Sequence, residues 1–243
     1  MNRTVRLAAV GSAMLIAAEA TAQSIEDANA AFAEGRFVEA ADMAEALGTS
    51  AGYALAAQSL AVHAHYEASE EEFSEVVERA IRMGEEAVAA DPTNPEAHYQ
   101  SAHAVGRYAQ RVGAFTALRE GLAGRIRDLL EATLAIEPDH FHAMLALGGW
   151  HADIAAEGFV ARTMYGGSEE EAVRLFERAL ELAPESRVVL HAYGTRLQRL
   201  DKDRGTERAR EMLERALSLP LGDAYDDYVY LDVLDGLDAL NEG

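Results

Sequence analysis

The chain has 243 residues, a formal charge of −21 at pH 7 and no cysteine. Without cysteine, a disulfide scaffold, a thiolate-ligated metal site, a thiol nucleophile and a lipoprotein anchor are excluded. The 42 acidic residues outnumber the 21 basic ones, so the electrostatic field of the whole protein repels nucleic acid and anionic lipid. Because 49% of the residues are hydrophobic, the chain has enough apolar surface for a packed core.

The N-terminal segment, residues 1–22, has the pattern of a secretory signal peptide. Two arginines precede an apolar run over 7–18, and small residues lead up to Ala22. This run is shorter than the ~20 apolar residues that span a bilayer. We expect cleavage after Ala22, which leaves one domain over 23–243 in the periplasm or secreted and no membrane insertion after cleavage. A permanent membrane anchor and an organelle transit peptide are the alternatives.

Beyond this segment the sequence repeats. Pro92, Pro138 and Pro184 are each 46 residues apart, and each follows an apolar helix ending. A fixed period of this kind indicates stacked units. Ten residues after each proline comes a small residue, as the close crossing of two helices in a hairpin requires. These small residues are Ala102, Gly148 and Gly194.

Caps and helical apolar spacing predict helices throughout, and no segment is typical of a strand. Ser69 with Glu72 and Ser168 with Glu171 form capping-box patterns, and Asn94 precedes a proline at a first helical position. The predicted helices cover 24–34, 37–47, 51–67, 70–90, 95–119, 123–136, 139–165, 169–182, 185–200, 205–218 and 223–240.

These repeats resemble the tetratricopeptide repeat (TPR) pattern over most of residues 24–220. The residues that carry this resemblance are Gly35, Phe37, Ala40, Leu47, Ala80, Ala87, Pro92, Gly194, Ala209, Ala216 and Pro220. The resemblance implies an all-α, right-handed solenoid of helical hairpins. The usual period is 34 residues, so the two central hairpins, with a period of 46, are predicted to be extended by ~12 residues each.

The central and C-terminal part is also similar to TPR proteins of the regulator-of-microtubule-dynamics type and their bacterial relatives. The matching segments are 147–151, with Gly148, Gly149 and Trp150, then Phe159, Ala161, 165–167 and 171–179. Gly149 stands where that pattern has an arginine, so a binding role is not carried over to this position. A role on microtubules is not implied for a chain with an export signal.

The last predicted helix, 223–240, is expected to cap the solenoid. Its apolar residues can close the core while its aspartates face solvent, as the terminal unit of a solenoid requires. The apolar set is Tyr225, Tyr228, Val229, Leu231, Leu234, Leu237 and Leu240, and the aspartates are Asp226, Asp227, Asp232, Asp235 and Asp238.

The long first helices of the extended hairpins are expected to form a ridge on one face. This ridge would be covered by its own residues, by a ligand or by another protein. Its residues are Phe115, Arg119, Phe159, Arg162, Met164 and Tyr165.

No motif of a hydrolase, a nucleotide-binding enzyme or a metalloprotease occurs in the sequence, and we predict no catalytic, cofactor or metal site. The pairs His63-x-His65 and His140-x-His142 suggest metal binding, but side chains two residues apart on a helix point in different directions. The histidines also do not recur at the 46-residue period. They are therefore interpreted as surface or packing residues.

Trp150, the only tryptophan, is expected to anchor the core, with ligand stacking as the alternative. His151 is expected to be a hydrogen-bonded structural residue, with a pH-sensing or ligand role as the alternative.

The strongest local departure from the acidic composition is a group of arginines in residues 107–127. Glu120 is the single acidic residue in this range. Arginine can bind a carboxylate or a phosphate with two hydrogen bonds, which suggests an anionic small molecule or an acidic peptide. The alternative is that these arginines pair with carboxylates of neighbouring repeats. The cluster consists of Arg107, Arg111, Arg119, Arg125 and Arg127.

The leading functional hypothesis is a periplasmic scaffold that binds a protein or peptide partner in cell-envelope assembly or transport. A transporter-associated accessory that binds an anionic small molecule is the second hypothesis, and an enzyme is the third. The candidate surface for a ligand or partner consists of Arg107, Arg111, Arg119, Trp150, His151, Arg162 and Tyr165.

Overall fold

The computed structural model describes residues 25–201 and 203–242, and the signal peptide predicted over 1–22 lies outside them. Helices joined by short loops make up this part of the chain, and none of its residues is in a strand. The helices are α1 (25–33), α2 (Phe37–Glu45), α3 (Ser50–Tyr66), α4 (Phe73–Ala90), α5 (Pro95–Arg119), α6 (Leu122–Ile136), α7 (Phe141–Ala156), α8 (Phe159–Tyr165), α9 (Glu169–Leu182), α10 (Arg187–Leu200), α11 (Gly205–Ser218) and α12 (Ala224–Glu242).

The hairpins stack side by side. In four of them α3 packs on α4, α5 on α6, α7 on α9 and α10 on α11, and consecutive hairpins contact each other through α4 with α5 and α6 with α7. The first hairpin is formed by α1 and α2, whose alanines pack with those of α3. The predicted all-α solenoid of TPR-like hairpins with a C-terminal capping helix is confirmed.

Small residues lie where the helices cross, as the repeat predicts. A Cβ atom on Gly148 would stand 3.3 Å from the carbonyl oxygen of Ala172, and one on Gly194 would stand 3.1 Å from Leu213. Larger side chains at these positions would push the two helices of a hairpin apart, and this explains why a small residue recurs at each period.

Side-chain caps begin several helices at the predicted places. Asn94 accepts a hydrogen bond from the backbone N–H of Glu96 at 3.1 Å, and Ser168 accepts one from that of Glu171 at 3.2 Å. Ser69 and Glu72 form the reciprocal bonds of a capping box, although α4 begins only at Phe73. These bonds satisfy amides that have no partner within the helix.

The two extended first helices are not continuous, which differs from the prediction. The segment predicted as one helix over 139–165 divides into α7 and α8 at Gly158, whose φ is 91°. Within α5, Gly113 has φ 79° and ψ 164°, so the helix kinks there. Glycine adopts these angles without the Cβ clash that other residues have, so it ends the regular helix at both points.

The tips beyond these two breaks carry exposed apolar side chains. Phe115 is 79% exposed, Phe159 82% and Met164 59%, so none of the residues that the structure describes covers this part of the predicted ridge. Arg162 and Tyr165 differ from them. Arg162 donates to the carbonyl of Ala155 at 2.7 Å, and Tyr165 packs against the main core.

The terminal helix α12 packs against both ends of the solenoid. Its buried residues Val233 and Leu240 belong to the main core together with Leu197 of α10 and Leu213 of α11, the two helices that α12 contacts. At its beginning, Tyr225 and Tyr228 pack on the aromatic core of the first hairpin, where Tyr228 lies 6.3 Å from the ring of Phe37. The helix therefore joins the last hairpin to the first.

Two details of the predicted capping helix were wrong. Leu231 is 54% exposed and Leu234 is 37% exposed, so neither closes the core. Asp226 and Asp232 were expected to face solvent, but Asp226 pairs with the buried Arg187 and Asp232 accepts a hydrogen bond from the hydroxyl of Tyr66 at 2.6 Å. Both differences arise because α12 packs on the first hairpin as well as on the last, which changes the face of the helix that is covered.

Candidate binding groove

A stripe on α5 begins the candidate site. Tyr99, His103 and Arg107 follow each other at four-residue steps, which places them on one side of the helix. The rings of Tyr99 and His103 are parallel, with centroids 6.2 Å apart. Nε of Arg107 donates to Nε2 of His103 at 3.2 Å, and its Nη1 donates to Gln110 at 3.2 Å.

The neighbouring hairpin adds two histidines to this stripe. His142 of α7 stacks on Tyr99 with ring centroids 5.7 Å apart. His140 has a structural role at the beginning of α7, because its Nδ1 accepts from the N–H of Ala143 at 3.1 Å and its Nε2 lies 3.2 Å from Glu96. Among the described residues, no group of three or more histidine or carboxylate side chains is arranged to hold a metal ion.

The opposite side of the site is formed by α3 and α12. The ring of Tyr66 stacks on that of Tyr228 with centroids 4.6 Å apart and lies 6.3 Å from the ring of Tyr225. His65 packs edge-on against Tyr66 at 4.4 Å. We use the name inner groove for the surface lined by His65, Tyr66, Tyr99, His103, Arg107, His142, Tyr225 and Asp232.

Most residues of the inner groove are partly exposed, although helices surround them on several sides. Space remains beside them. A Cβ atom on Gly106, one turn after His103, would meet no atom within 4 Å, and Ala146, one turn after His142, is exposed. The inner groove is therefore open to solvent along α5 and α7.

The imidazoles of the inner groove are neutral at pH 7. Desolvation lowers the pKa of His65 to about 4, with a further decrease from the charge of Arg107 and a partial offset from Asp232. Desolvation also lowers the pKa of His142 to about 4 and that of His103 well below its usual value, where Arg107, His65 and His142 add to the effect. Burial among other cationic groups disfavours the charged imidazolium.

Arg107 is the one arginine of the predicted cluster that lies in the inner groove. No carboxylate of the residues described forms an ion pair with it, and its hydrogen bonds are to His103 and Gln110. By contrast, Arg111 pairs with Glu70, and each remaining arginine of the cluster has a carboxylate partner, in the pairs Arg119 with Glu120, Arg125 with Glu85, and Arg127 with Asp128.

Trp150 is a core anchor, as expected. It is 7% exposed, and its indole N–H donates to the carbonyl of Ala123 at 2.9 Å. The guanidinium of Arg127 lies 5.9 Å from the Trp150 ring and donates to the carbonyl of Tyr165 at 3.1 Å. Together with Arg162, which pairs with Glu169 at 2.8 Å, these residues form a joint between α6, α7, α8 and α9.

His151 lies beside this joint, with its ring edge-on to that of Trp150 at 5.0 Å. Its Nδ1 is buried and has no hydrogen-bond partner among the described residues, and desolvation lowers the pKa of the ring. The candidate residues of the sequence are therefore divided. Arg107 lies in the inner groove, Trp150, His151, Arg162 and Tyr165 lie at the joint, and Arg111 and Arg119 lie at the surface.

Sequence reasoning did not identify the histidines and tyrosines of the inner groove as a group. The interpretation of the histidines depended on the 46-residue period, at which they do not recur. His65, His103 and His142 are instead 38 and 39 residues apart, which is a near-regular spacing that the period concealed. Tyr225 had no sequence signal for this place, because α12 reaches it only through the tertiary fold.

No helix in residues 25–201 and 203–242 combines the length and the apolar character needed to cross a membrane. No curated protein sequence matches the chain.

A solved TPR protein has a similar fold. The thermophilic TPR protein TTC0263 of Thermus thermophilus is 14% identical, with a TM-score of 0.62, and the match covers 89% of this chain and 98% of that one. YrrB, described as a TPR protein with an unusual peptide-binding site, is 15% identical, with a TM-score of 0.44 and coverage of 88% and 90%. The family model described as Regulator of microtubule dynamics protein 1-3 matches residues 17–240. This match extends over most of the sequence, and the chain belongs to that family.

Proposed function

We propose that this protein is an exported TPR-like scaffold that binds a protein or peptide partner in the inner groove, as part of cell-envelope assembly or transport. The observation that carries the proposal is a surface on which α3, α5, α7 and α12 each place partly exposed aromatic or imidazole rings. Stacked hairpins offer a long surface of this kind, which suits an extended or helical segment of another protein.

Photo-crosslinking in living cells tests the surface. A photo-reactive amino acid in place of His65, which is the exposed residue of the inner groove, is expected to give a specific crosslinked protein. The matched control is the same amino acid in place of Glu177, which is exposed on α9 and faces away from the core. Crosslinks of equal yield at both positions, or at neither, would contradict the proposal.

Export is supported by the pattern of residues 1–22 alone. The expected result is a mature protein in the periplasmic fraction whose N-terminal residue, measured by mass spectrometry, is Gln23. An intact N-terminus in the cytoplasmic fraction would refute this part of the proposal. The proposal includes no catalytic step.

A second candidate function is the binding of an anionic small molecule, and Arg107 favours it. In a chain of charge −21, this guanidinium lies on a solvent-open surface and forms no ion pair with the carboxylates of residues 25–201 and 203–242. Thermal-shift measurements against a panel of organic acids test it. A stabilising acid whose effect is lost on Arg107→Ala would support this function, and no shift with any acid would argue against it.

A further inference from the structure

The hydrogen bond between Arg107 and His103 links the charged guanidinium to the protonation of the imidazole. Because Nε of Arg107 donates to Nε2 of His103, that ring nitrogen carries no proton, and the single proton of the neutral ring is assigned to Nδ1. The Nδ1 atom is buried and has no partner among the described residues. In this arrangement the guanidinium of Arg107, which is the strongest donor of the inner groove, is bonded to a neutral acceptor. The N–H at Nδ1 of His103 has no hydrogen-bond partner among the described residues.

A carboxylate is a better acceptor for Arg107 than an imidazole is. The guanidinium can donate two parallel hydrogen bonds to one carboxylate, and such charge-assisted bonds are stronger than bonds to neutral acceptors. When Nε of Arg107 turns to a carboxylate, Nε2 of His103 loses its donor. The bound negative charge also favours a protonated ring, so Nε2 can take up a proton from solvent and donate it in a hydrogen bond to the same carboxylate.

We propose that the inner groove binds an acidic peptide segment of the partner by placing a carboxylate on Arg107, and that binding is coupled to the uptake of one proton at Nε2 of His103. This inference rests on the proposed scaffold function and adds the chemistry of the partner and its dependence on pH. The net charge of −21 repels an acidic peptide from the protein as a whole, so its binding depends on the positive charge of Arg107.

The groups around His103 determine how readily its ring takes up a proton. The charges of Arg107 on α5, His65 on α3 and His142 on α7 act on His103, and Tyr99 on α5 stacks on its ring. On α12, Tyr225 lies within the field of Arg107 and Asp232 lies within that of His65. Asp232 accepts from Tyr66, and its negative charge acts on His65. Desolvation and the charge of Arg107 keep His103 neutral in the free protein. A carboxylate bound to Arg107 would counter the effect of the Arg107 charge and so favour the protonated ring of His103.

Titration of the full chain with an acetylated hexaglutamate peptide, followed by isothermal calorimetry at pH 7.5 and 6.0 in buffers of different ionisation heat, tests the inference. The expected result is uptake of up to one proton per peptide and an affinity that rises by up to about tenfold per pH unit on acidification. A hexaglutamine peptide is expected not to bind. No hexaglutamate binding, or binding without proton uptake, would overturn the inference.

Variants separate the contributions of Arg107 and His103 to peptide binding. Arg107→Gln should weaken hexaglutamate binding by at least about tenfold, and Arg107→Lys should restore part of it, because the positive charge returns. His103→Gln should retain binding at pH 7.5 and lose the increase at pH 6.0. Arg125→Gln on α6, which removes the same charge outside the inner groove, is the control and should bind as the unmodified protein does.

Two further outcomes are decisive. Glutarate that binds as tightly as hexaglutamate would overturn the peptide assignment in favour of a small-molecule site. If hexaglutamate fails to bind while a partner is still crosslinked through position 65, the inference is wrong and the proposed scaffold function stands.

Discussion

Trp150 and Phe159 are nine positions apart in the sequence and have opposite surroundings. Trp150 is 7% exposed and hydrogen-bonded through its indole, whereas Phe159 is 82% exposed at the start of α8. Both are large aromatic residues in helices, so hydrophobicity alone does not separate them. The break at Gly158 separates them, because it turns α8 away from the axis of α7.

Truncation of these two side chains should therefore change the free energy of unfolding by very different amounts. Trp150→Ala is expected to lower the free energy of unfolding by about 3–5 kcal/mol, through lost burial, a cavity and the loss of the hydrogen bond to the carbonyl of Ala123. Phe159→Ala is the control and should change it by less than about 0.5 kcal/mol. Urea unfolding followed by circular dichroism measures both, and similar values for the two variants would contradict the packing described.

Arg187 is a residue whose role the sequence did not suggest. It is 3% exposed, and its guanidinium donates to the carbonyls of Ala216 at 3.1 Å and Leu219 at 2.7 Å, and also pairs with Asp226. A buried guanidinium is tolerated only when its donors are satisfied. Here the end of α11 and the start of α12 supply the acceptors, so Arg187 fixes the turn that directs α12 back towards the first hairpin.

At the scale of elements, glycines with positive φ decide where the long first helices end. The sequence shows helical apolar spacing on both sides of Gly158, and this is why one helix was predicted over 139–165. Gly158 has φ 91°, and a Cβ atom there would meet no atom within 4 Å. The requirement for glycine at this position is therefore conformational and not steric.

Gly158→Ala is expected to lower the free energy of unfolding by about 1–2 kcal/mol, because a residue with a Cβ atom is strained at this φ. Gly124→Ala is the matched control. Gly124 lies in α6, also in open space but without a positive φ, and alanine there should raise stability by up to about 1 kcal/mol. Denaturant titration of both variants measures the difference, and a stabilising Gly158→Ala would show that the helix tolerates continuation.

At the scale of the whole molecule, α12 closes the solenoid on itself. Tyr228 stacks on Tyr66 and donates to Glu67 at 2.8 Å, and Tyr66 donates to Asp232. These contacts join residues more than 160 positions apart. A solenoid in which each repeat contacts only its neighbours has independent ends, and here the two ends share one helix.

Truncation of the chain after Leu221 removes α12 and tests this closure. We expect faster amide hydrogen exchange in α1 and α2, which lose the tyrosine contacts, as well as in α10 and α11. The exchange of α6, which lies away from α12, serves as the internal control and should change much less. Unchanged exchange in α1 and α2 would mean that the ends of the solenoid are independent.

We expect the buried histidines to make the folded protein less stable in acid. The folded-state pKa of His142 is lowered to about 4, below the ordinary value of 6.5. An imidazole with a lowered pKa contributes stability above pH 6.5, and this contribution is lost as the pH falls towards 4, because the unfolded chain binds the proton first. His65, His103, His151 and His191 have pKa values lowered in the same direction.

The free energy of unfolding should therefore decrease between pH 6.5 and 4. In His142→Gln this decrease should be smaller by at most about 3 kcal/mol, since part of the ring contacts solvent. His63→Gln is a control on α3, where the ring is hydrogen-bonded to Glu67. Unfolding titrations at about pH 7.5, 6, 5 and 4 measure the slopes, and identical slopes for His142→Gln and the unmodified protein would contradict the assignment.

The sequence by itself determined the helices, the hairpin repeat and the small residues at the crossings. Each of these depends on local angles or on a period along the chain, so Pro92, Asn94 and Gly148 indicate them without reference to distant residues. The tips at Phe115 and Phe159 could also be recognised, although not the breaks that expose them.

Only the tertiary structure decided the inner groove. His65, Tyr99, His103 and His142 belong to three hairpins, and Tyr225 belongs to the last helix, so their proximity depends on how the hairpins stack and on where α12 returns. The arginine cluster is visible in the sequence, but the sequence could not show that Arg107 is the one member of the cluster that lies in the inner groove. Sequence patterns record the neighbours of a residue along a helix, whereas the charge and solvation of a groove depend on residues brought together by packing.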